Sequence, residues 1–374
     1  MVMHSIGKNT DSMYKQRKPQ AASQYAVEGT AKTRKGLRMK NILLIATGGT
    51  IASKGTECGL TPQLGSDEIL KYVPSVNGMC HVDSVQLFNL DSTNILPRHW
   101  EAMARTIREN YARYDGFVIL HGTDTMAYTS AALSYMIQNS PKPVVLTGAQ
   151  RPIDKEITDA KMNLYDSILY ACDKASHDVA IVFQGQVIAG TRARKIRSKS
   201  FNAFSSINFP DVAVIRNGRI IRYIDWKPEG ELRFFTRLNP RVFTLKLIPG
   251  MDAGVIHYLM PHYDALIIES FGVGGIPCYG EDIYMKAISE WTNAGKLLVM
   301  TTQVPNEGSD MVIYNVGSRI KEKFDLLEAY DMTPEATVTK LMWLMGTYQT
   351  FEEIKKGFYT KINNDIMAAD EGGR

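Results

Sequence analysis

Asn41-Ile42-Leu43-Leu44-Ile45-Ala46-Thr47-Gly48-Gly49-Thr50-Ile51-Ala52-Ser53 reads as a buried strand that runs straight into a glycine turn. Gly48 and Gly49 have no Cβ, so they tolerate positive φ and allow a close approach of backbone or ligand. In an open α/β sheet this turn delivers Thr50 to the carboxyl edge, where such sheets bind small molecules. A hydroxyl held there is a candidate nucleophile, provided a base lies close.

Further along, Phe117-Val118-Ile119-Leu120, Val144-Val145-Leu146 and Val179-Ala180-Ile181-Val182-Phe183 have the continuous apolar character of strands buried on both faces. Helical patterns separate them. Pro97 opens one in which Trp100, Met103, Ala104, Ile107 and Tyr111 follow the 3.6 period. A second, 126–138, is apolar on most sides and fits burial either in a core or against a partner copy. A third spans 160–171. The alternation predicts an α/β fold with a doubly wound, mainly parallel sheet.

Residues 219–241 interrupt this pattern, with Trp226, Pro228, Gly230 and Pro240 among alternating charges. They read as a linker containing a hairpin. Beyond them, Ala265-Leu266-Ile267-Ile268 and Leu297-Leu298-Val299-Met300 restart the alternation, with helices expected at 282–293, 334–346 and 351–358. The expected organisation is a tail at 1–38, a larger N-terminal domain at 39–220, a linker at 221–243 and a smaller C-terminal α/β domain at 244–374.

A chain of 374 residues exceeds one compact core, which fits two domains. The composition, 44% hydrophobic and 22% charged, is that of a soluble globular protein. No apolar run reaches the roughly 20 residues of a membrane span. Residues 1–40 hold nine Lys or Arg and two acids, a net of +7, so a total of +4 leaves −3 for the rest. The folded part therefore lacks the basic face that nucleic acid would need. Residues 1–38 read as disordered, without the apolar stretch of a secretory signal, and Met39 is an alternative start. Cys58, Cys80, Cys172 and Cys278 are scattered, which suits free thiols in a reducing cytoplasm. The seven histidines form no metal-ligand spacing, so no metal is expected.

Three more segments carry candidate chemistry. Asp91-Ser92-Thr93-Asn94 precedes a helix, and taken alone it fits a capping loop better than a binding loop. His121-Gly122-Thr123-Asp124-Thr125 joins a buried strand to a helix start. The helix dipole there keeps Asp124 ionised and able to bind an ammonium group. Neighbouring N–H groups suit a carboxylate or an oxyanion. His121 fits a hydrogen-bonded structural residue better than a general base. Gly190-Thr191-Arg192-Ala193-Arg194-Lys195 is either a solvated basic loop or the source of one lysine that turns in to face Asp124. Such a lysine serves as a base or proton relay. Spacing alone does not decide whether these groups converge.

Together these residues resemble the L-asparaginase family, in its bacterial cytoplasmic, type I form. Thr47–Ser53 resembles the first threonine signature, and Phe117–Tyr128 (FVILHGTDTMAY) the second. The likeness continues through Asp91–Asn94, Leu146-Thr147-Gly148-Ala149-Gln150, Gly190–Lys195 and Glu269-Ser270-Phe271-Gly272-Val273-Gly274-Gly275. It spans about residues 40–350. It implies hydrolysis of L-asparagine to L-aspartate and ammonia without a cofactor. It also implies Thr50 as the nucleophile that forms an acyl-enzyme, and Thr123, Asp124 and Lys195 as its activating set. Asp91 and Ser92, with Asp124, match the groups that hold the α-amino and α-carboxylate ends. Thr93 occupies the adjoining binding position, and Ala149 lies on the loop that lines the side-chain amide. A cytoplasmic homodimer or homotetramer is implied, with no nucleic-acid or membrane partner.

The family commonly places a tyrosine on a lid about ten residues after the first threonine. This sequence has Leu60 there. Glu269 is a charge reversal near an allosteric site reported for some members, so cooperativity is not expected. Three readings compete with the main one. A glutaminase differs by a single substrate methylene. The archaeal glutamyl-tRNA amidotransferase subunit shares the signatures but normally carries a substantial N-terminal domain. A nucleotide-binding module is disfavoured, because Gly48-Gly49 lacks the third glycine of GxGxxG and no GxxxxGK[ST] follows.

Overall fold

The computed structural model describes residues 38–367 except 57–58, 63, 226, 278–282 and 314, with backbone alone at 54–56, 59–62, 315–316 and 320. The tail at 1–37 and the side chain of Leu60 lie outside the described residues.

The run that begins at Asn41 forms the strand Asn41–Gly48, buried from Ile42 onward. It sits between two parallel neighbours, Gly116–Leu120 on one side and His81–Leu90 on the other. Val144–Thr147 and Val179–Phe183 extend the parallel array. The sheet has eight strands, ordered from one edge as Arg219–Arg222, Ala213–Arg216, Gln186–Ala189, Val179–Phe183, Val144–Thr147, Gly116–Leu120, Asn41–Gly48 and His81–Leu90. The three strands at the first edge pair antiparallel. The fold is thus α/β and mainly parallel, as the sequence predicts.

Two layers of helix cover this sheet. On one face, Pro97–Asn110 presents Trp100, Met103, Ala104 and Ile107 inward. Met126–Met136 lies beside it with ten of its eleven residues buried. On the other face, Ala160–Cys172 packs Leu164, Ile168 and Ala171 against Ile42, Leu44 and Val118. The apolar helix expected at 126–138 stops at Met136. Ile137–Gln138 instead pair antiparallel with Arg233–Phe234. Its burial is supplied within the chain, by the sheet and by the helix Pro334–Thr347.

The smaller sheet is parallel and four-stranded, ordered Val242–Lys246, Ala265–Ser270, Leu297–Thr302, Leu327–Glu328. Helices Ile283–Asn293, Pro334–Thr347 and Phe351–Tyr359 fall where the periodicity puts them. The segment read as a linker supplies two strands to its surroundings. Arg219–Arg222 closes a hairpin with Ala213–Arg216, and Arg233–Phe234 reaches back to Ile137–Gln138. Among the described residues the two sheets lie within one compact unit that begins at Met39, and they share a core that holds Phe117, Ile267 and Trp343 together. Among the described residues no helix is long and apolar enough to cross a membrane.

Candidate active site

Four loops at the carboxyl ends of neighbouring strands meet because their contact points are glycines. Gly48 and Gly49 have φ of 108° and 79°. A Cβ on Gly49 would lie 2.4 Å from the Gly122 nitrogen, and one on Gly48 would lie 2.4 Å from the Leu90 oxygen. A Cβ on Gly122 would lie 2.6 Å from Ser92 Oγ, and one on Gly148 2.1 Å from the His121 oxygen. Each loop therefore rests on the next, on backbone at Gly48, Gly49 and Gly148 and on the Ser92 side chain at Gly122, at a distance only hydrogen allows.

This packing produces a small cleft lined by Gly49, Thr50, Ser53, Asp91, Ser92, Gly122, Thr123 and Asp124. Thr50 opens a short 3₁₀ turn, Thr50–Ala52, and is half-buried. Ser53 Oγ donates to the Gly49 carbonyl at 2.9 Å and closes that turn. The Gly49 amide donates to the Leu90 carbonyl at 2.9 Å, so the Thr50 loop is tied to the strand that leads to Asp91.

Lys195 does turn inward. Its Nζ donates to Thr123 Oγ1 at 2.7 Å and to Asp124 Oδ1 at 2.6 Å. The cause is strand alternation. Ala193–Lys195 pairs antiparallel with Phe204–Ser206, so neighbouring side chains leave on opposite faces. Arg194 points the other way, with Nε 3.9 Å from Glu335. The lysine side chain is 17% exposed and that of Asp124 57%, so solvent screens the pair mainly on the carboxylate side.

Asp91 serves both readings of its loop. Its Oδ1 accepts from the Thr93 amide at 2.9 Å and from Thr93 Oγ1 at 3.0 Å, capping the 3₁₀ turn Ser92–Asn94. Asp91 also lines the cleft. Ser92 is buried beside it, and its carbonyl accepts from Thr125 Oγ1 at 2.7 Å, which docks this loop on the Asp124 loop. Thr93 is exposed and lies outside the cleft lining, its hydroxyl committed to Asp91. Ala149 is fully buried and stands behind the cleft rather than in its lining.

His121 is structural in its contacts. The Gly122 carbonyl can only accept, so Nδ1 carries the proton in their 2.7 Å bond. Nε2 then accepts from Thr129 Oγ1 at 2.9 Å, and Trp100 Nε1 donates to the same hydroxyl at 2.9 Å. Burial pushes the imidazole pKa down to about 4, so the ring is neutral at neutral pH.

Three contributors have roles that the sequence does not disclose. Gln150 Oε1 accepts from Thr123 Oγ1 at 3.3 Å, the same hydroxyl that Lys195 donates to. Asp159 holds the backbone of the loop that carries Gln150. Arg192, expected in a basic loop, is fully buried. It donates to Asp331 Oδ2 at 2.9 Å, to the Asp331 carbonyl at 2.8 Å and to the Asn364 carbonyl. It thereby anchors the strand that carries Lys195. A polar side chain that acts through a loop backbone leaves no periodic trace, although Asp159 just before a helix carries a capping signal. Among the described residues no group of three or more His, Cys, Asp or Glu is placed to hold a metal ion.

A family model described as "Asparaginase, N-terminal" matches residues 41–227, and one described as "Glutaminase/Asparaginase C-terminal domain" matches residues 241–358. The chain is 40% identical over 333 residues to the L-asparaginase of Thermococcus kodakarensis, with 88% of this chain and 99% of that protein covered. It is 33% identical over 343 residues to a glutamyl-tRNA(Gln) amidotransferase polypeptide of Pyrococcus abyssi, with 88% of this chain and 77% of that protein covered. It is similar in structure to the thermostable L-asparaginase from Thermococcus kodakarensis, with a TM-score of 0.83, 38% identity, and 88% and 99% of the two chains covered. Two family models spanning both sheets and a relative matched over nearly its whole length give one conclusion: the chain belongs to the asparaginase family.

Proposed function

We propose that this chain hydrolyses L-asparagine to L-aspartate and ammonia through an acyl-enzyme on Thr50. The observation that carries the reading is the convergence of Thr50, Thr123, Asp124, Asp91 and Ser92 on one cleft, with Lys195 Nζ bonded to both Thr123 and Asp124.

In this mechanism the substrate's α-ammonium lies between the Asp91 and Asp124 carboxylates, and Ser92 takes the α-carboxylate. Thr93 acts by orienting Asp91. Holding one end of a small zwitterion places the amide carbon at the other end against Thr50 Oγ1. Thr50 Oγ1 forms a bond to that carbon as its proton passes to Thr123 and into the relay that Thr123 makes with Lys195 and Asp124. The tetrahedral intermediate collapses, the C–N bond breaks, and the relayed proton leaves with the nitrogen as ammonia. Water then attacks the ester carbonyl, the same relay takes its proton, and the Thr50 oxygen leaves with a proton to restore the hydroxyl. Ala149 forms the wall behind the side-chain amide.

The family reading further implies a cytoplasmic homodimer or homotetramer that uses no cofactor and has no nucleic-acid or membrane partner. Glutamine is the competing substrate, since one methylene in a pocket is worth about 1–3 kcal/mol. Ammonia release from L-asparagine, L-glutamine and D-asparagine by the purified protein tests the reading. The expected order is L-asparagine well above the other two. Equal or greater release from L-glutamine would replace the proposed substrate, and no release from any amide would remove the activity.

A further inference from the structure

Asp159 precedes the helix Ala160–Cys172 at its N-cap position, yet makes no side-chain cap there. Thr158 Oγ1 takes the Ala160 amide instead, at 3.0 Å. The Asp159 carboxylate is buried and turned back onto the loop Gly148–Arg151. Its two oxygens accept from the Gln150 amide at 3.1 and 2.9 Å, and Oδ1 accepts from the Arg151 amide at 3.1 Å. Oδ2 also accepts from Asn163 Nδ2 at 3.1 Å. Asn163 Nδ2 in turn donates to the Gly148 carbonyl at 3.0 Å. Donors from one helix turn and one loop thus converge on a carboxylate that no cation pairs with among the described residues. Burial pushes its carboxyl upward, and the N–H donors oppose that.

The loop held this way has two jobs at the cleft. Ala149 is buried behind its lining, and the Gln150 side chain reaches the hydroxyl of Thr123, which does line it. Gln150 Oε1 takes the Thr123 hydroxyl, while Nε2 donates to the Ser200 carbonyl at 3.1 Å and to the Arg197 carbonyl at 3.4 Å. Further along, the Ile153 amide donates to the Ile51 carbonyl at 3.3 Å, next to Thr50. A pocket separates substrates that differ by one methylene only if its wall does not recede.

We infer that Asp159 is a positioning and specificity-determining residue: it fixes the Gly148–Arg151 loop so that Ala149 excludes the longer amide and Gln150 directs the Thr123 hydroxyl. The inference rests on the proposed hydrolysis of L-asparagine. Asp159→Asn keeps the size of the side chain but turns one acceptor into a donor facing backbone N–H groups. The loop loosens, the wall recedes, and glutamine gains relative to asparagine.

The test is the ratio of kcat/KM for L-asparagine to that for L-glutamine, a quantity from which the fraction of active protein cancels. In Asp159→Asn the ratio is expected to fall at least fivefold, with a drop in kcat for asparagine. Asp166→Asn, which alters another buried carboxylate on the same helix away from the loop, keeps the wild-type ratio. Gln150→Leu retains both backbone bonds to Asp159 and removes the acceptor for Thr123 together with the Nε2 bonds to Ser200 and Arg197. It lowers kcat on asparagine at least tenfold with KM within threefold, and it remains decisive if Asp159→Asn fails to fold. A ratio within twofold of wild type in folded Asp159→Asn, or an unchanged kcat in Gln150→Leu, overturns the inference. Wild-type protein that releases no ammonia from either amide overturns the proposed function instead.

Discussion

Two ionisable side chains, one buried and one half-buried, show how environment sorts candidate groups at the residue scale. His121 and Lys195 both sit at the end of the sheet where the chemistry is placed. The imidazole is sealed in, with its two nitrogens already occupied by Gly122 and Thr129, and burial holds it neutral. The lysine keeps one side open and faces a hydroxyl and a carboxylate. Only the second arrangement leaves a group free to exchange a proton with substrate. Asp166 presents the opposite problem, a carboxyl nearly inaccessible to water and pushed up to about 6 by burial, against the weaker pull of Arg216. Its folded pKa lies above the ordinary value of 3.8. Its favourable contribution is therefore present below that value and lost as pH rises through about 6. Asp166→Asn, which removes the charge and keeps the shape, is expected to raise Tm by a few degrees at pH 7.5. The gain over wild type shrinks toward zero near pH 4 in thermal melts. A variant less stable than wild type at pH 7.5 would show that the ionised form has partners that offset its burial.

At the scale of elements, the strand ends depend on backbone approach more than on side chains. Gly49 has φ of 79° and leaves no room beside Gly122, so Gly49→Ala forces a strained conformation and a clash at once. We expect it to cost more than about 2 kcal/mol in chemical denaturation and to remove ammonia release, since the shift falls on the loop of Thr50. A stable, active Gly49→Ala protein would mean that the loops do not touch as described. The same elements explain what the sequence discloses. Strands such as Phe117–Leu120 are apolar on both faces, and that run is visible without a structure. His81–Leu90 is exposed or half-buried along its length at the sheet edge and carries no such run, so periodicity does not reveal it. The hairpin strand Arg219–Arg222 alternates charge with isoleucine at another edge, and it reads as linker. In the site, Thr50, Asp91, Ser92, Thr123 and Asp124 are legible because each lies beside a strand-end turn. Gln150 and Asp159 are not, because their roles exist only once Ala160–Cys172 has packed against the sheet.

At the scale of the whole molecule, the two sheets are fastened together behind the cleft. Tyr135 of the larger sheet's helix stacks on Trp343 of the helix Pro334–Thr347, with ring centroids 5.9 Å apart. Tyr135 also donates to Asp365 Oδ2 at 3.0 Å, and the buried Lys340 donates to the same oxygen at 2.6 Å. Arg192 closes the junction from the other side through Asp331 and Asn364. Removing one partner from such buried pairs costs about 3–5 kcal/mol, so this seam resists opening. Its effect on the chemistry is indirect. Arg192 lies three residues before Lys195, and its burial fixes the strand that carries the lysine to Thr123 and Asp124. Buried polar contacts thus hold the relay in place, and Thr50 meets that relay from a separate loop. The most direct measurement is the intact mass of enzyme quenched in acid during turnover of L-asparagine, followed by peptide mapping. An aspartyl ester is expected on the peptide that contains Thr50, with neither adduct nor ammonia release in folded Thr50→Ala. Turnover by Thr50→Ala near the wild-type rate, or an adduct on another residue, would contradict it.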